Sequence, residues 1–178
     1  ENGQKIHIFV NHWPSRREGA KRSQPRRLAA AYALRREVRE IQNRNENAKI
    51  VIMGDFNDLP ISSSIAKILK GKKYLSLKRG EFYNLAYLPY IEQRGTAHDS
   101  KFGWSMFDQI LISEALIKGE GIVTEDKSCK ILNDKSIMFF DKRNNMYRPN
   151  RTYRGNKYHG GYSDHLPIYF NVNIKKTK

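Results

Sequence analysis

Asp55 and Asn57 stand two residues apart, just past Gly54 and the apolar run Ile50-Val51-Ile52-Met53. On an extended or tightly turning backbone, residues i and i+2 point the same way. The carboxylate and the carboxamide can therefore aim at one point beyond a strand end. The carboxylate can take a proton or face a hard cation, and the amide NH2 can donate to a phosphoryl oxygen. Phosphate-ester hydrolysis assisted by magnesium asks for such a pair. Three more apolar segments adjoin small polar clusters: Phe9-Val10-Asn11-His12, Trp104-Ser105-Met106-Phe107-Asp108, and Ser163-Asp164-His165-Leu166. Asp108 lies in an apolar run, and a buried carboxylate needs a partner. His165 can supply one; an Asp–His hydrogen bond would fix the imidazole tautomer and raise its basicity. Asp164, beside it, can add negative charge for a cation. The competing reading is a buried Asp–His pair among ordinary turn residues.

The elements that must hold these groups can be read from periodicity. Residues 6–10 and 49–53 read as strands, as do 107–112, 121–123 and 166–174. Leu28, Ala31, Leu34, Val38 and Ile41 recur at three- and four-residue spacing, which predicts a helix over 24–43 with one apolar stripe. Pro25 suits the first turn of that helix, and Arg27, Arg35, Arg36 and Arg39 belong to its opposite face. Ser62, Ser63 and Ser64 read as the cap of a short helix over 65–69. Residues 72–103 are weakly patterned, and the basic, asparagine-rich stretch 142–157 reads as a surface loop. No internal repeat divides the chain, so residues 1–178 read as a single domain.

The 178 residues carry 33 Lys+Arg against 18 Asp+Glu, a formal charge of +15 that attracts polyanions such as nucleic acid or anionic headgroups. Tyr147, Tyr153 and Tyr158, set among basic residues, could stack bases; a solvated loop explains them equally. The tail over 175–178 reads as solvated. No apolar run approaches the roughly 18 residues of a membrane span, so the chain is expected to be soluble. Its single cysteine, Cys129, excludes an internal disulfide and does not choose a compartment.

The strings Asn11-His12-Trp13-Pro14-Ser15, Gly54-Asp55-Phe56-Asn57-Asp58, Phe107-Asp108-Gln109-Ile110 and Ser163-Asp164-His165-Leu166-Pro167 resemble, in order, the later motifs of the endonuclease/exonuclease/phosphatase superfamily. The group includes DNase I-like nucleases, abasic-site endonucleases, sphingomyelinases and inositol-phosphate phosphatases. The resemblance runs from His7 to about Asn173. It implies an α/β (α+β) fold: a portion of a four-layered α/β/β/α sandwich of two mainly antiparallel sheets, with its site at the strand ends. It also implies residue roles. Asp55 would orient or deprotonate the attacking water, and Asn57 would donate to a nonbridging phosphoryl oxygen. Asp108 would hold His165 against the phosphate, and His12 would touch the phosphate or serve the leaving group. Asp164 and Asp55 would approach a Mg2+ or Mn2+ ion. Arg16, whose guanidinium suits bidentate phosphate contacts, is a candidate substrate clamp.

Members usually carry an earlier half with a glutamate as main metal ligand. Almost nothing precedes His7 here, and Glu18, Glu37 and Glu40 follow the histidine motif instead of replacing that ligand. The expectation is the C-terminal part of a catalytic domain, with an exposed sheet edge where an N-terminal half docks. The expected activity is phosphoester hydrolysis by direct water attack, with nucleic acid favoured as substrate. The alternatives are a sphingomyelinase- or inositol-phosphatase-like substrate, or a non-catalytic binding module of the same fold.

Overall fold

Ile50 and Ile52 are buried on one face of their strand and Val51 on the other, so this strand is covered on both sides. The computed structural model describes residues 3–73, 77–124 and 128–174; the basic tail lies outside them. In chain order the elements are β1 (Ile6–His12), α1 (Ala20–Arg44), β2 (Lys49–Asp55), β3 (Gly71–Lys72), β4 (Phe82–Asn84), α2 (Tyr87–Ile91), β5 (Ala97–Asp99) and β6 (Gly103–Ser105). Then come β7 (Asp108–Ile112), α3 (Ala115–Lys118), β8 (Ile122–Val123), β9 (Lys130–Ile131), β10 (Met138–Asp141), β11 (Met146–Pro149), β12 (Tyr153–Arg154), β13 (Lys157–Tyr158), β14 (Ile168–Tyr169) and β15 (Asn173–Ile174).

The main sheet has the order β1-β2-β7-β4-β3. β1 and β2 are parallel, β7 is antiparallel to both β2 and β4, and β3 and β4 are parallel. The shorter pairs β5–β6, β10–β11, β12–β13, β14–β9 and β15–β8 are all antiparallel. On one face of the main sheet, Ile50, Ile52, Phe82 and Leu111 pack against Ala31, Leu34 and Val38 of α1. On the other, Val51, Ile110, Ile112 and Leu85 meet Leu116, Cys129, Ile122 and Ile168 of the short elements. The result is an α/β fold with a helix outside the sheet and short strand pairs across it. β1 is the sheet edge, and its Ile8 and Val10 remain 60% and 79% exposed.

Several local expectations need correction. The helix starts at Ala20, so Pro25 falls in its second turn, where it has no N–H for the carbonyl four residues back. Ser23 Oγ donates to Gly19 O at 2.8 Å and Arg27 Nη2 to Ala20 O at 2.9 Å, which ties down the extra turn. Arg27 is not on the solvent face: it is 1% exposed and its Nε lies 2.9 Å from Asp58 Oδ1, a contact off the line of a hydrogen bond. The expected short helix forms over Ser64–Ile68, one residue early, and no serine side chain caps it. Ser62 Oγ accepts from Leu59 N and Ser64 Oγ donates to Asp58 Oδ2 at 2.6 Å, and one wide turn closes with Leu69 N donating to Ser64 O. The stretch 142–157 holds β11, β12 and the start of β13 instead of a plain loop. The last strand splits into β14 and β15 because its two halves pair with different partners, β9 and β8.

Candidate active site

Strand register brings the site together. In the parallel β1–β2 pair His12 stands opposite Asp55, and in the antiparallel β2–β7 pair Asp55 stands opposite Asp108. His12, Asp55 and Asp108 thus form one row across three strands. Gly54, with φ +128, permits the approach: a Cβ there would lie 2.0 Å from Asn11 O. His165 arrives from the loop before β14. Its backbone bridges to Ala97, and Leu166 N donates to Thr96 O at 2.7 Å. Thr96 Oγ1 also accepts from Asp108 N at 3.3 Å, so one residue fixes the backbone on both sides of the Asp108–His165 contact.

Asp108 Oδ2 lies 2.7 Å from His165 Nδ1, a charge-assisted hydrogen-bond distance. The same nitrogen is 4.0 Å from Asp55 Oδ2, and His12 Nε2 is 3.6 Å from that oxygen. With Nδ1 directed to Asp108, Nε2 is the His165 atom left to face a substrate. The Asp108 and Asp55 side chains are each 19% exposed, whereas His12 is 78% exposed. Burial, above all, raises the Asp55 carboxyl above the ordinary aspartate range; the Asn57 backbone N–H opposes the rise and the Asp108 charge adds to it. For His165, burial disfavours the imidazolium, but the hydrogen bond and charge of Asp108, with Asp55 and Asp164, overcome it and raise the ring.

Asn57 is 7% exposed. Its backbone N–H donates to Asp55 Oδ1 at 2.8 Å, and its Nδ2 donates to Asp55 Oδ2 and to Trp13 O, both at 3.0 Å. In this arrangement the carboxamide clamps Asp55. Arg16 faces the protein: Nε donates to Asn57 O at 2.6 Å, Nη2 to Asp58 Oδ1 at 2.7 Å, and the guanidinium lies 4.9 Å from the Phe107 ring centre. Asp164 is exposed and influences His165 through charge. Asp55, Asp108 and His165 offer ligand atoms within 4.8 Å of one another. Two carboxylates meeting across neighbouring strands suit a hard divalent cation. Because one Asp108 oxygen and His165 Nδ1 already bind each other, the fit rests on the remaining carboxylate oxygens.

The motifs do not announce the network that supports these residues. Asp58, 4% exposed, gathers Arg16, Arg27 and Ser64. Gln109, fully buried, donates to Asp58 O at 2.6 Å and accepts from Asn84 Nδ2 at 2.8 Å. The one available signal was that both residues complete the motif strings that hold Asp55 and Asp108.

Among solved structures, truncated TDP2 from Caenorhabditis elegans is 18% identical, with a TM-score of 0.53 over 94% of this chain and 54% of that chain. Mannosyl-6-phosphatase from Bacteroides thetaiotaomicron VPI-5482 is 17% identical, with a TM-score of 0.53 over 98% of this chain and 53% of that one. A humanized Danio rerio TDP2 gives 18% identity and a TM-score of 0.53 over 97% and 56% of the two chains. The chain thus shares their fold and spans about half the length of each. No curated protein matches the sequence significantly. The family model described as "Endonuclease/Exonuclease/phosphatase family" matches residues 1–174, and the chain belongs to that family.

Proposed function

We propose that this chain supplies the Asp55–Asp108–His165 part of a divalent-metal-dependent phosphoesterase that hydrolyses phosphate esters by direct attack of water. The observation that carries the reading is the cross-strand row ending in the 2.7 Å Asp108–His165 bond. Asp55, clamped by Asn57, orients the water and accepts its proton as the new P–O bond forms. His165 presents Nε2 to the phosphoryl oxygens, and its upward shift favours the imidazolium that stabilises their charge. Both amide hydrogens of Asn57 are taken, by Asp55 Oδ2 and Trp13 O, so its role in this arrangement is to hold Asp55, and donation to a nonbridging oxygen would require release of Trp13 O. As the ester P–O bond breaks, the leaving oxygen takes a proton from His12, the exposed end of the row. Arg16 positions the Asn57–Asp58 turn and is given that role here rather than a clamp on substrate.

Asp55, with the Asp108 oxygen not bonded to His165, would hold Mg2+ or Mn2+ together with a ligand from another part of the domain, and the exposed Asp164 would add negative charge near the ion. The ion, when bound, supplies neutralisation of phosphoryl charge. The exposed Ile8 and Val10 on the β1 edge and the half-length overlap with solved relatives support a docked N-terminal portion of the same domain. Residues 1–178 are then the C-terminal part of one domain, which completes the four-layered sandwich. The +15 charge favours nucleic acid as substrate.

In the complete enzyme, Asp55→Ala and His165→Ala are each expected to lower kcat by about 10²-fold or more. Hydrolysis of plasmid DNA, sphingomyelin and inositol phosphates, each with an EDTA control, sets the substrate class. Near wild-type turnover in both variants would end the catalytic assignment of these residues, and no turnover on any of the substrates would leave a binding module of the same fold.

A further inference from the structure

β5 links the active-site row to a second, cationic cavity. Its Ala97 bridges His165, and its next residue, His98, walls a cavity of about 390 Å³. Consecutive Cα atoms are ~3.8 Å apart, so the two regions are neighbours along one short strand. Arg148, Arg151, Arg154, His159 and Asp99 also line the space.

Two buried nitrogens in this wall have no hydrogen-bond partner among the described residues: His98 Nδ1 and Arg148 Nε. His98 is 8% exposed, and its ring is set against Trp104 with centroids 5.1 Å apart. Arg148 is held by Asp141 at 2.8 Å and lies 4.8 Å from the Phe139 ring centre, so its remaining donor cannot turn away easily. Arginine nitrogens only donate, and neutral histidine can present Nδ1–H. Burial first, then Arg148, lowers His98, which keeps the ring neutral. Arg148 Nε therefore wants an acceptor, and His98 joins it in the tautomer that carries its proton on Nδ1.

Charge identifies the acceptor. Asp141 balances Arg148, whereas no carboxylate pairs directly with Arg151 or Arg154 among the described residues. Arg151 Nη2 donates to His98 O at 3.0 Å, which fixes the guanidinium at the mouth next to β5. Asp99 opposes an anion, but its Oδ1 is taken by the backbone N–H groups of Lys101 and Phe102 at 2.8 and 3.2 Å. Arg151 and Arg154 outnumber the single Asp99 carboxylate, which stays ionised beside Arg151, and with the orphan Arg148 Nε they match a small oxyanion bearing several acceptor oxygens.

We infer that this cavity binds a phosphate group of the substrate other than the one hydrolysed, through His98, Arg148, Arg151 and Arg154. The assignment of that phosphate to a substrate rests on the phosphoesterase reading; the anion site itself does not. It makes the family site selective for esters carrying a second phosphate nearby, whether on a nucleotide chain or a small bisphosphate.

The test uses the full chain with 15N-labelled histidine, titrated with inorganic phosphate at constant ionic strength. The His98 ring resonances should shift and saturate in the wild type and equally in His165→Ala, which disables the neighbouring site. Arg154→Ala, an exposed change, should weaken the phosphate Kd about tenfold or more, and Arg151→Lys should weaken it too. A His98 signal that stays fixed, or moves identically in Arg154→Ala, overturns the anion site. In the complete enzyme, a 5′-phosphorylated dinucleotide should show a lower KM than its dephosphorylated form, and inositol bisphosphate a lower KM than monophosphate if small esters are the source. Loss of both KM advantages in Arg154→Ala supports the substrate role. Turnover without any such advantage refutes that role, whereas phosphate binding without turnover refutes the phosphoesterase reading alone.

Discussion

Asp58→Ala should unfold the chain more readily than loss of any active-site side chain, although Asp58 touches no proposed substrate position. The carboxylate is 4% exposed and its three partners differ in what they do without it. Arg16 is 27% exposed at its side chain and can rehydrate. Ser64 loses a 2.6 Å hydrogen bond. Arg27, 1% exposed, keeps donations to Pro14 O, Ser23 Oγ and Ala20 O but becomes an unpaired charge in the core. Breaking a buried ion pair by removing one member costs about 3–5 kcal/mol, a large share of the roughly 5–15 kcal/mol of a whole domain. At about 2–4 °C per kcal/mol for a chain of this size, the melting temperature should fall by about 6–20 °C.

Urea unfolding followed by circular dichroism measures the loss, and a cycle with Arg27→Met isolates its cause. Replacing both charges together removes the stranded cation, so Asp58→Ala with Arg27→Met should recover much of the stability, with a coupling energy of about 3 kcal/mol. The reasoning is refuted if Asp58→Ala costs less than about 1 kcal/mol, or if the two substitutions simply add. Because Arg16 links the Asp58 carboxylate to the carbonyl of Asn57, which clamps Asp55, Asp55 should lose its fixed geometry in the single variant.

Three other perturbations read different links. Gly54→Ala forces a Cβ into Asn11 O at a backbone angle of φ +128, so soluble yield and the circular dichroism spectrum should collapse; a folded variant melting near the wild type would contradict the β1–β2 geometry. Burial pushes the Cys129 thiol up to about 11, so iodoacetamide at pH 8 should label it at least about 100-fold more slowly than an exposed cysteine, and rapid labelling of the native chain would show that it is accessible. In Asp108→Asn, burial of His165 acts without the carboxylate that raises the ring, so the imidazole should titrate at lower pH by NMR. The linked stability has a definite sign. A raised histidine stabilises the fold below its unfolded pKa of about 6.5, and that contribution is lost as pH rises through the folded value. Asp108→Asn should therefore destabilise more at pH 6 than at pH 9, and equal losses would refute the coupling.

The sequence made β1, α1, β2 and β7 legible because each carries a long apolar period. Ile50, Ile52, Ala31, Leu34 and Val38 are buried where that period puts them. Short strands such as β3, β5, β9 and β12 are not legible because two or three residues cannot display alternation, and β9 in addition pairs with the distant β14. Arg27 departs from its helical period for a related reason. Periodicity assigns a charge to the solvent face, and nothing local to the helix announces that Asp58, 31 positions on, will meet it. Asp55, Asp108 and His165 were legible by residue type, but the distances were not. They depend on which strands are neighbours, and on Thr96, a residue with no motif of its own.

The mixed direction of the main sheet explains why His12, Asp55 and Asp108 converge. β1 and β2 run parallel, so their last residues, His12 and Asp55, end at the same rim. β7 runs against β2, so its first residue, Asp108, begins at that rim. A carboxylate ending one strand and a carboxylate starting the next thus meet without any loop having to reach inward. Register carries the whole arrangement: a one-residue slip of β7 would turn Asp108 to the opposite face. Leu111 packing toward α1, with Ile110 and Ile112 toward the short strands, opposes that slip, since either shift would exchange their environments. The apolar alternation of β7 therefore does more than fill the core. It sets which way Asp108 points, and through the 2.7 Å bond to His165 it sets the orientation of the imidazole as well.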